Sequence, residues 1–144
     1  MVADADVNYQ ILVIDDDRDV RNVFCRILKC KNYTIKSACN KKEMLMMIDE
    51  FDTRREIITV VDYVLDDATG YDIVVELLER NIKCKNICVT GSHVADNMLA
   101  EYERQSLCPD SAGLFHRFLR KPVEGDVLRE CVLRLINSSY IPRV

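Results

Sequence analysis

The sequence lacks the long apolar runs of membrane proteins and the apolar segment of a secretory leader. No run of apolar residues reaches the length that crosses a bilayer. The N-terminus contains no stretch resembling the hydrophobic core of a signal peptide. We therefore expect a cytoplasmic protein that makes no contact with a membrane.

The sequence also lacks the residue patterns of zinc sites and of nucleic-acid surfaces. Seven cysteines are present, yet none forms a Cys-x-x-Cys pair, and neither His93 nor His116 completes a zinc spacing. An odd number of cysteines without a leader indicates a reducing compartment, and several occupy apolar positions, where we expect small core residues. The net charge of −4, without a large basic cluster, argues against direct contact with nucleic acid.

No repeat, low-complexity tract or linker interrupts the 144 residues, which therefore predict one domain. We expect this domain at residues 10–137, after a frayed N-terminus at 1–9 and before a short tail at 138–144.

Short apolar runs alternate with amphipathic stretches along this domain. Strands are predicted at residues 10–14, 33–38, 57–61, 86–90 and 114–119, the second of them half exposed at a sheet edge. A helix is predicted after each strand, with Asp17 and Asn40 capping the first two, the fourth at 93–104, and a loop at 106–113. Five strands alternating with five helices predict an α/β fold, a parallel sheet covered on both faces.

Reactive side chains follow four of the predicted strands. The central strand ends at Asp62, and the other three ends carry Asp15 with Asp16, Thr90, and Lys121. Because parallel strands present their carboxyl ends at one edge of the sheet, these groups are expected to converge where α/β proteins bind ligands.

The chemistry of these groups favours a metal and a phosphoryl group. Three adjacent carboxylates resist full ionisation unless a cation neutralises them. A small set of oxygen ligands suits Mg²⁺, which retains several waters. A carboxylate beside Mg²⁺ can attack a phosphoryl group, while Lys121 and Thr90 can donate to the charge that develops on the transferring oxygens. Gly70 is expected to close the loop after Asp62 through backbone angles that other residues resist.

Together these motifs resemble the receiver domain of two-component response regulators of the chemotaxis-regulator type. The resemblance is carried by Ile-Leu-Val-Ile before Asp15-Asp16-Asp17, Val-Val-Asp62 with Gly70, Val-Thr90-Gly91, and Phe118-Leu-Arg-Lys121-Pro122. It covers residues 10–137 in the family's order and implies a flavodoxin-like, doubly wound fold with strand order 2-1-3-4-5.

The resemblance implies that Asp62 accepts a phosphoryl group from the phosphohistidine of a sensor histidine kinase or phosphotransfer protein. Lys121 would pair with the phosphoryl group, and Thr90 would hydrogen-bond to it. The implied Mg²⁺ ligands are the side chains of Asp15, Asp16 and Asp62 and the backbone carbonyl of Val64. The protein would catalyse its own phosphoryl transfer and autodephosphorylation, and would not otherwise be an enzyme.

The resemblance also implies a switch. Phosphorylated Asp62 would draw Thr90 inward, and Phe118 would fill the space that Thr90 leaves. The face made by the fourth helix, fifth strand and fifth helix would then change its affinity for a downstream effector protein or output domain, and the same face would allow homodimerisation. Pro122 matches a proline whose preceding peptide bond is cis.

Three features depart from the family's pattern. Asp66 replaces a common proline and Asp67 follows it, which adds negative charge that could weaken phosphoryl binding or strengthen metal binding. The stretch between Thr90 and Lys121 is longer than usual, with the excess expected around residues 106–114. Phe118 lacks the hydroxyl of a tyrosine, so that any switching depends on packing alone.

Two other functions remain open on the sequence. A phosphohydrolase with an aspartate nucleophile would use the same sheet edge, metal, threonine and lysine. Such enzymes usually place a second acid two residues after the nucleophile, where this chain has Val64. An interaction module independent of phosphorylation would need only the fold, and the intact set of charged residues argues against it.

Overall fold

The computed structural model describes residues 7–91 and 114–137. Its elements are β1 (Tyr9–Ile14), α1 (Arg18–Leu28), β2 (Tyr33–Ala38), α2 (Lys41–Met47), β3 (Ile57–Asp62), α3 (Gly70–Glu79), β4 (Cys84–Thr90), β5 (Arg117–Arg120) and α4 (Gly125–Asn137). A 3₁₀ turn, Ile48–Glu50, follows α2 directly. The predicted helix at 93–104 and the loop at 106–113 lie outside the described residues, so α4 is the fifth helix of the sequence prediction.

The five strands form one parallel sheet in the order β2-β1-β3-β4-β5, which confirms the predicted flavodoxin-like topology. β2 lies at one edge and is half exposed along most of its length, as its sequence pattern predicted. β1 and β3 occupy the interior of the sheet, and their carboxyl ends lie side by side because Ile14 pairs with Val61.

Both faces of the sheet are covered by helices, and the side chains of each strand alternate between the two resulting cores. One core contains strand residues Leu12, Ile14, Val61 and Cys88 with residues of α2 and α3. The other contains Ile11, Val13, Val60 and Ile87 with residues of α1 and α4. Burial on both faces explains why the central strands read as unbroken apolar runs. Among the described residues, no helix is long and apolar enough to span a membrane.

Side chains cap the first turn of three helices. The Asp17 carboxylate accepts from the backbone N of Asp19 at 2.8 Å, and the Asn40 side chain accepts from Glu43 N at 2.8 Å, which confirms both predicted caps. Thr69 and Asp72 form a reciprocal capping box at the start of α3. The spacing of a threonine and an acid three residues later was the available sequence signal for that box.

Two strand boundaries differ from the prediction by more than one residue. β4 begins at Cys84, two residues before the predicted start. Lys85 breaks the apolar pattern of the sequence, but it is buried in the strand, and its Nζ donates to the carbonyl of Leu135 at 2.7 Å. β5 was predicted from residue 114, but it begins at Arg117. The residues before it are held by the Asn86 side chain, whose amide donates to the Leu114 carbonyl at 2.8 Å, in place of regular strand pairing.

Candidate functional site

Three carboxylates meet at the carboxyl ends of β1 and β3. Asp15 and Asp16 directly follow β1, and Asp62 is the last residue of β3. One oxygen of each side chain lies within 4.8 Å of the others. Asp15 is 1% exposed and Asp62 is 7% exposed, whereas Asp16 faces solvent. The structure therefore brings together the three acids that the sequence predicted.

Lys121 reaches the same cluster from beyond β5. Its Nζ lies 2.7 Å from Asp15 Oδ2 and 3.3 Å from Asp62 Oδ2. Its backbone N donates to the Thr90 carbonyl at 2.8 Å, which fixes the start of the lysine side chain beside the end of β4. The peptide bond between Lys121 and Pro122 is cis, as the resemblance implied.

Burial and charge compete at these groups. Burial raises the pKa of Asp62, and the neighbouring Asp15 carboxylate raises it further, while Lys121 opposes both effects. Burial alone would lower the pKa of Lys121, but the hydrogen bond to Asp15 and the charge of Asp62 outweigh it, so the pKa of Lys121 is raised. The ammonium group therefore stays protonated. The cluster still holds three carboxylates to one cation, a composition suited to a further positive ion.

Hydrogen bonds fix the orientation of the Asp15 carboxylate, whereas the Asp16 carboxylate is available to bind an ion. Asp15 Oδ1 accepts from the backbone N of Asp17 at 2.9 Å, and Oδ2 accepts from Lys121. The Asp15 carbonyl accepts from the Arg21 guanidinium at 2.7 Å. No group in the described part of the chain hydrogen-bonds to the exposed Asp16 carboxylate. Clustered oxygens with one uncommitted carboxylate fit a hard cation such as Mg²⁺.

The loop after Asp62 folds into a short hairpin, which we call the β3–α3 hairpin (residues 63–70). Val64 and Thr69 form an antiparallel bridge, and the backbone N of Leu65 donates to the Ala68 carbonyl at 3.1 Å. The backbone N of Val64 lies 3.5 Å from Asp62 Oδ1. Val64, the predicted carbonyl ligand, is therefore next to the acid in a loop with a defined backbone.

Gly70 lies in a tightly packed position at the end of this hairpin, but the predicted reason for a glycine was wrong. Its φ is not positive, so the backbone angles do not require glycine. A Cβ at Gly70 would instead lie 3.0 Å from the Asp62 carbonyl oxygen and 3.2 Å from Tyr63 Cα. Gly70 allows the start of α3 to approach the backbone of β3 at the residue that carries the central acid.

Thr90 and Phe118 lie on one face of the sheet, on adjacent strands. In the register of the sheet Cys88 pairs with Phe118 and Thr90 pairs with Arg120. Thr90 is therefore two residues beyond the partner of Phe118, on the same face of the sheet. Thr90 is buried at the end of β4, and the Phe118 ring lies 5.2 Å from the ring of Phe115. The arrangement is compatible with the switch that the resemblance implied, and the roles of both residues remain predictions.

The two additional acids of the hairpin differ in their surroundings. Both are exposed, but the Asp67 carboxylate accepts from the backbone N of Lys41 at 2.9 Å and of Lys42 at 3.0 Å. The hydrogen bond from Lys41 holds the pKa of Asp67 below its usual value. No local sequence pattern indicated this contact, because Asp67 lies in the hairpin and its partners belong to α2, about 25 residues earlier in the chain.

Six cysteines lie in the described residues, and all six are free. Cys88 and Cys131 are buried in the core, as predicted for small apolar residues. Burial raises the pKa of the Cys88 thiol to about 12, so the thiol stays protonated at neutral pH. Cys30 differs from these two because it is exposed.

Comparison with known proteins identifies the fold and the family. The profile of the response regulator receiver domain matches residues 11–133. A search among curated proteins finds no significant match. The structure is similar to a CheY-like receiver domain protein from Methanospirillum hungatei JF-1, with 21% identity, a TM-score of 0.69, and coverage of 90% of this chain and 94% of that chain.

Two further solved structures give the same picture. A receiver domain protein from Clostridium thermocellum has 25% identity, a TM-score of 0.70, and coverage of 90% of this chain and 94% of its own. TrrA from Thermotoga maritima, solved in complex with Mg²⁺-BeF, has 21% identity, a TM-score of 0.63, and coverage of 88% and 98%. Because the family profile spans most of the residues, the chain belongs to the response regulator receiver domain family.

Proposed function

We propose that this receiver domain is a phosphoacceptor, in which Asp62 takes a phosphoryl group from the phosphohistidine of a sensor histidine kinase or phosphotransfer protein. The observation that carries the proposal is the position of Lys121. Its Nζ contacts both Asp15 and Asp62, at 2.7 and 3.3 Å, in a setting where Asp62 is almost fully buried. A cation held at that point can bind the oxygens of a phosphoryl group placed on Asp62.

The transfer is a substitution at phosphorus. An Asp62 oxygen attacks the phosphorus, and the new O–P bond forms as the P–N bond to the donor histidine breaks. The electron pair of the P–N bond goes to the departing imidazole nitrogen. Lys121 favours the ionised nucleophile and then neutralises charge on the transferred oxygens, while the Thr90 hydroxyl donates a hydrogen bond to them.

The donor set also supports a Mg²⁺ site. The side chains of Asp15, Asp16 and Asp62 and the carbonyl of Val64 would hold the ion. When bound, Mg²⁺ supplies positive charge that allows the carboxylates to ionise together and offsets charge on the phosphoryl oxygens. Asp15 contributes while remaining hydrogen-bonded to Lys121 and to the backbone of Asp17, which orients its carboxylate.

The proposed output is a shift between two conformations. Movement of Thr90 toward phosphorylated Asp62 and of Phe118 into the vacated space would alter the face around β5 and α4. An effector protein, an output domain or a second copy of the chain that binds the altered face more tightly would stabilise it. The domain would work in the cytoplasm and catalyse no reaction beyond its own phosphorylation and dephosphorylation.

The intact mass of the protein after incubation with acetyl phosphate tests this function. We expect one phosphate-sized gain in the wild type with Mg²⁺, and none when EDTA removes the metal. Asp62→Asn, which keeps the size of the side chain but not its nucleophile, should show no gain. An unmodified wild type, or an equal gain in Asp62→Asn, would contradict the proposal. Steady turnover of small phosphomonoesters would instead favour the phosphohydrolase. Val64 argues against that function, because such enzymes usually have a second acid two residues after the nucleophile.

A further inference from the structure

The Asp67 carboxylate connects two parts of the molecule that are distant in sequence. It lies at the tip of the β3–α3 hairpin and accepts hydrogen bonds from the first two backbone N–H groups of α2, those of Lys41 and Lys42. A second contact joins α2 to α3, the helix that follows the hairpin, since Lys41 Nζ lies 3.4 Å from Glu76 Oε1.

Capping of α2 does not by itself explain this contact. Asn40 already serves as the N-cap and accepts from Glu43 N at 2.8 Å. The N–H groups of Lys41 and Lys42 belong to exposed or half-exposed residues, where water could satisfy them. What Asp67 adds is a tie between α2 and a hairpin that water could not provide.

The hairpin transmits the position of its tip to the acidic site over a short distance. Asp67 lies within the turn closed by the hydrogen bond from Leu65 N to the Ala68 carbonyl. The next pair of residues is the bridge between Val64 and Thr69. Leu65 is buried in the core, so the hairpin is attached to the protein at its base and at its tip.

We propose that Asp67 is a positioning residue of the site: its carboxylate anchors the β3–α3 hairpin to α2 and so holds Val64 where the Mg²⁺ site requires it. This inference rests on the proposed function, because it assumes that the Val64 carbonyl binds the ion. It also assigns different roles to the two additional acids of the hairpin, since no group in the described part of the chain hydrogen-bonds to the Asp66 carboxylate as the α2 amides do to Asp67.

Calorimetric titration of Mg²⁺ into the full chain tests the inference, with Asp67→Asn compared against Asp66→Asn. Both variants remove one negative charge from the same turn. Only Asp67→Asn also disturbs bonds to α2, because Oδ1 accepts from Lys41 and Oδ2 from Lys42, and an amide keeps just one of these two oxygens. We expect Asp67→Asn to weaken Mg²⁺ binding by roughly three- to tenfold more than Asp66→Asn. This effect is smaller than the roughly ten- to hundredfold loss typical of groups that hydrogen-bond directly to a metal-binding side chain. Hydrogen exchange at the Lys41 and Lys42 amides should accelerate in Asp67→Asn alone.

A second pair of variants tests the same bond if Asp67→Asn does not fold. Asn40 has φ −161° and ψ 179°, an extended conformation that tolerates a following proline. Lys41→Pro removes the N–H at the first helical position, whereas Lys41→Ala removes only the side chain and its contact with Glu76. We expect Lys41→Pro to bind Mg²⁺ more weakly than Lys41→Ala.

The outcomes separate this inference from the function on which it rests. Equal Mg²⁺ affinities for Asp67→Asn and Asp66→Asn, or for Lys41→Pro and Lys41→Ala, would overturn the positioning role while the wild type still binds the ion. A wild type that binds no Mg²⁺ would overturn the proposed metal site, and the positioning role with it.

Discussion

Lys121 and Asp15 are 106 residues apart in sequence, yet Lys121 Nζ lies 2.7 Å from Asp15 Oδ2. Asp15 is almost fully buried, and the ammonium group of Lys121 offsets the charge of its carboxylate when no metal ion is bound. The same Nζ lies 3.3 Å from the nucleophile proposed here, Asp62. One side chain therefore has two tasks, and a single substitution should impair both.

Lys121→Ala should lower stability and phosphorylation without lowering Mg²⁺ affinity. Loss of the cation leaves Asp15 buried and unpaired, and the free energy of unfolding without Mg²⁺ should fall by about 3 kcal/mol. This is the low end of the range for buried pairs, because the Lys121 side chain is 24% exposed. Phosphorylation should slow by about 100-fold, as for loss of one preorganised donor. Mg²⁺ affinity should hold or increase, since a like charge is removed.

Urea unfolding, phosphorylation rates and Mg²⁺ titration measure the three effects of Lys121→Ala. Lys36→Ala is the matched control, because its ion pair with Glu50 is exposed and should contribute less than about 1 kcal/mol. Parallel losses of Mg²⁺ affinity and phosphorylation in Lys121→Ala would contradict the roles assigned to the lysine.

Gly70→Ala should destabilise the protein and disturb the site, because the added Cβ would press on the Asp62 carbonyl and on Tyr63 Cα. Both are backbone atoms that cannot rotate away, so we expect a loss of about 1–3 kcal/mol in the free energy of unfolding. Mg²⁺ affinity should fall as well, since the displaced residue carries a ligand.

Gly125→Ala provides the control for that substitution, because each glycine is the first residue of its helix. The atoms nearest to a Cβ at Gly125 would be Ile27 Cγ1 and Arg129 Nη1, each at an ordinary distance of 3.5 Å. With no clash, Gly125→Ala should stabilise the protein by about 0.4–1 kcal/mol, because alanine restricts the unfolded chain more than glycine does. Equal stabilities for the two variants would show that the close approach at Gly70 is unimportant.

The parallel sheet and the acidic edge could be predicted because they depend on patterns within short segments, whereas the strand order was predicted from the family resemblance. β1 and β3 are apolar on both faces, and each ends at a carboxylate. Once the strands are parallel, convergence of Asp15, Asp16, Asp62 and Lys121 follows from the geometry of the sheet.

The features that could not be predicted depend on distant partners. Lys85 looks like a surface residue, but its Nζ reaches the Leu135 carbonyl, 50 residues away. Asp67 looked like additional charge at the site, whereas its oxygens are directed to the amides of α2. The sequence correctly marked Gly70 as a position that favours glycine. The reason, the close approach to the Asp62 backbone, is visible only in the structure.

His116 should make stability depend on pH. It is buried, and its Nδ1 accepts from the backbone N of Asn86 at 3.0 Å. Burial lowers the pKa of His116, and the charges of Lys85 and Arg117 lower it further. In the unfolded chain the imidazole titrates near its ordinary value of about 6.5. As the pH falls below that value, the unfolded state takes up a proton that the native state resists, so the free energy of unfolding decreases until the lower native pKa is passed.

Urea unfolding of the wild type and of His116→Asn between pH 8 and pH 5 isolates this effect. The asparagine carbonyl can still accept from Asn86 but does not titrate. We expect the stability of the wild type relative to the variant to decrease on the acid side of the ordinary histidine pKa and to stay constant above it. A constant difference throughout would show that His116 does not bind fewer protons in the native state.

The most direct test of the central claim is to locate the phosphoryl group on the chain. Borohydride reduces an aspartyl phosphate to homoserine, so reduction after treatment with acetyl phosphate and Mg²⁺, followed by peptide mass mapping, identifies the modified acid. The account predicts homoserine at position 62 and unmodified aspartates at Asp15, Asp16 and Asp17. Conversion of one of those three acids, with Asp62 unmodified, would contradict it.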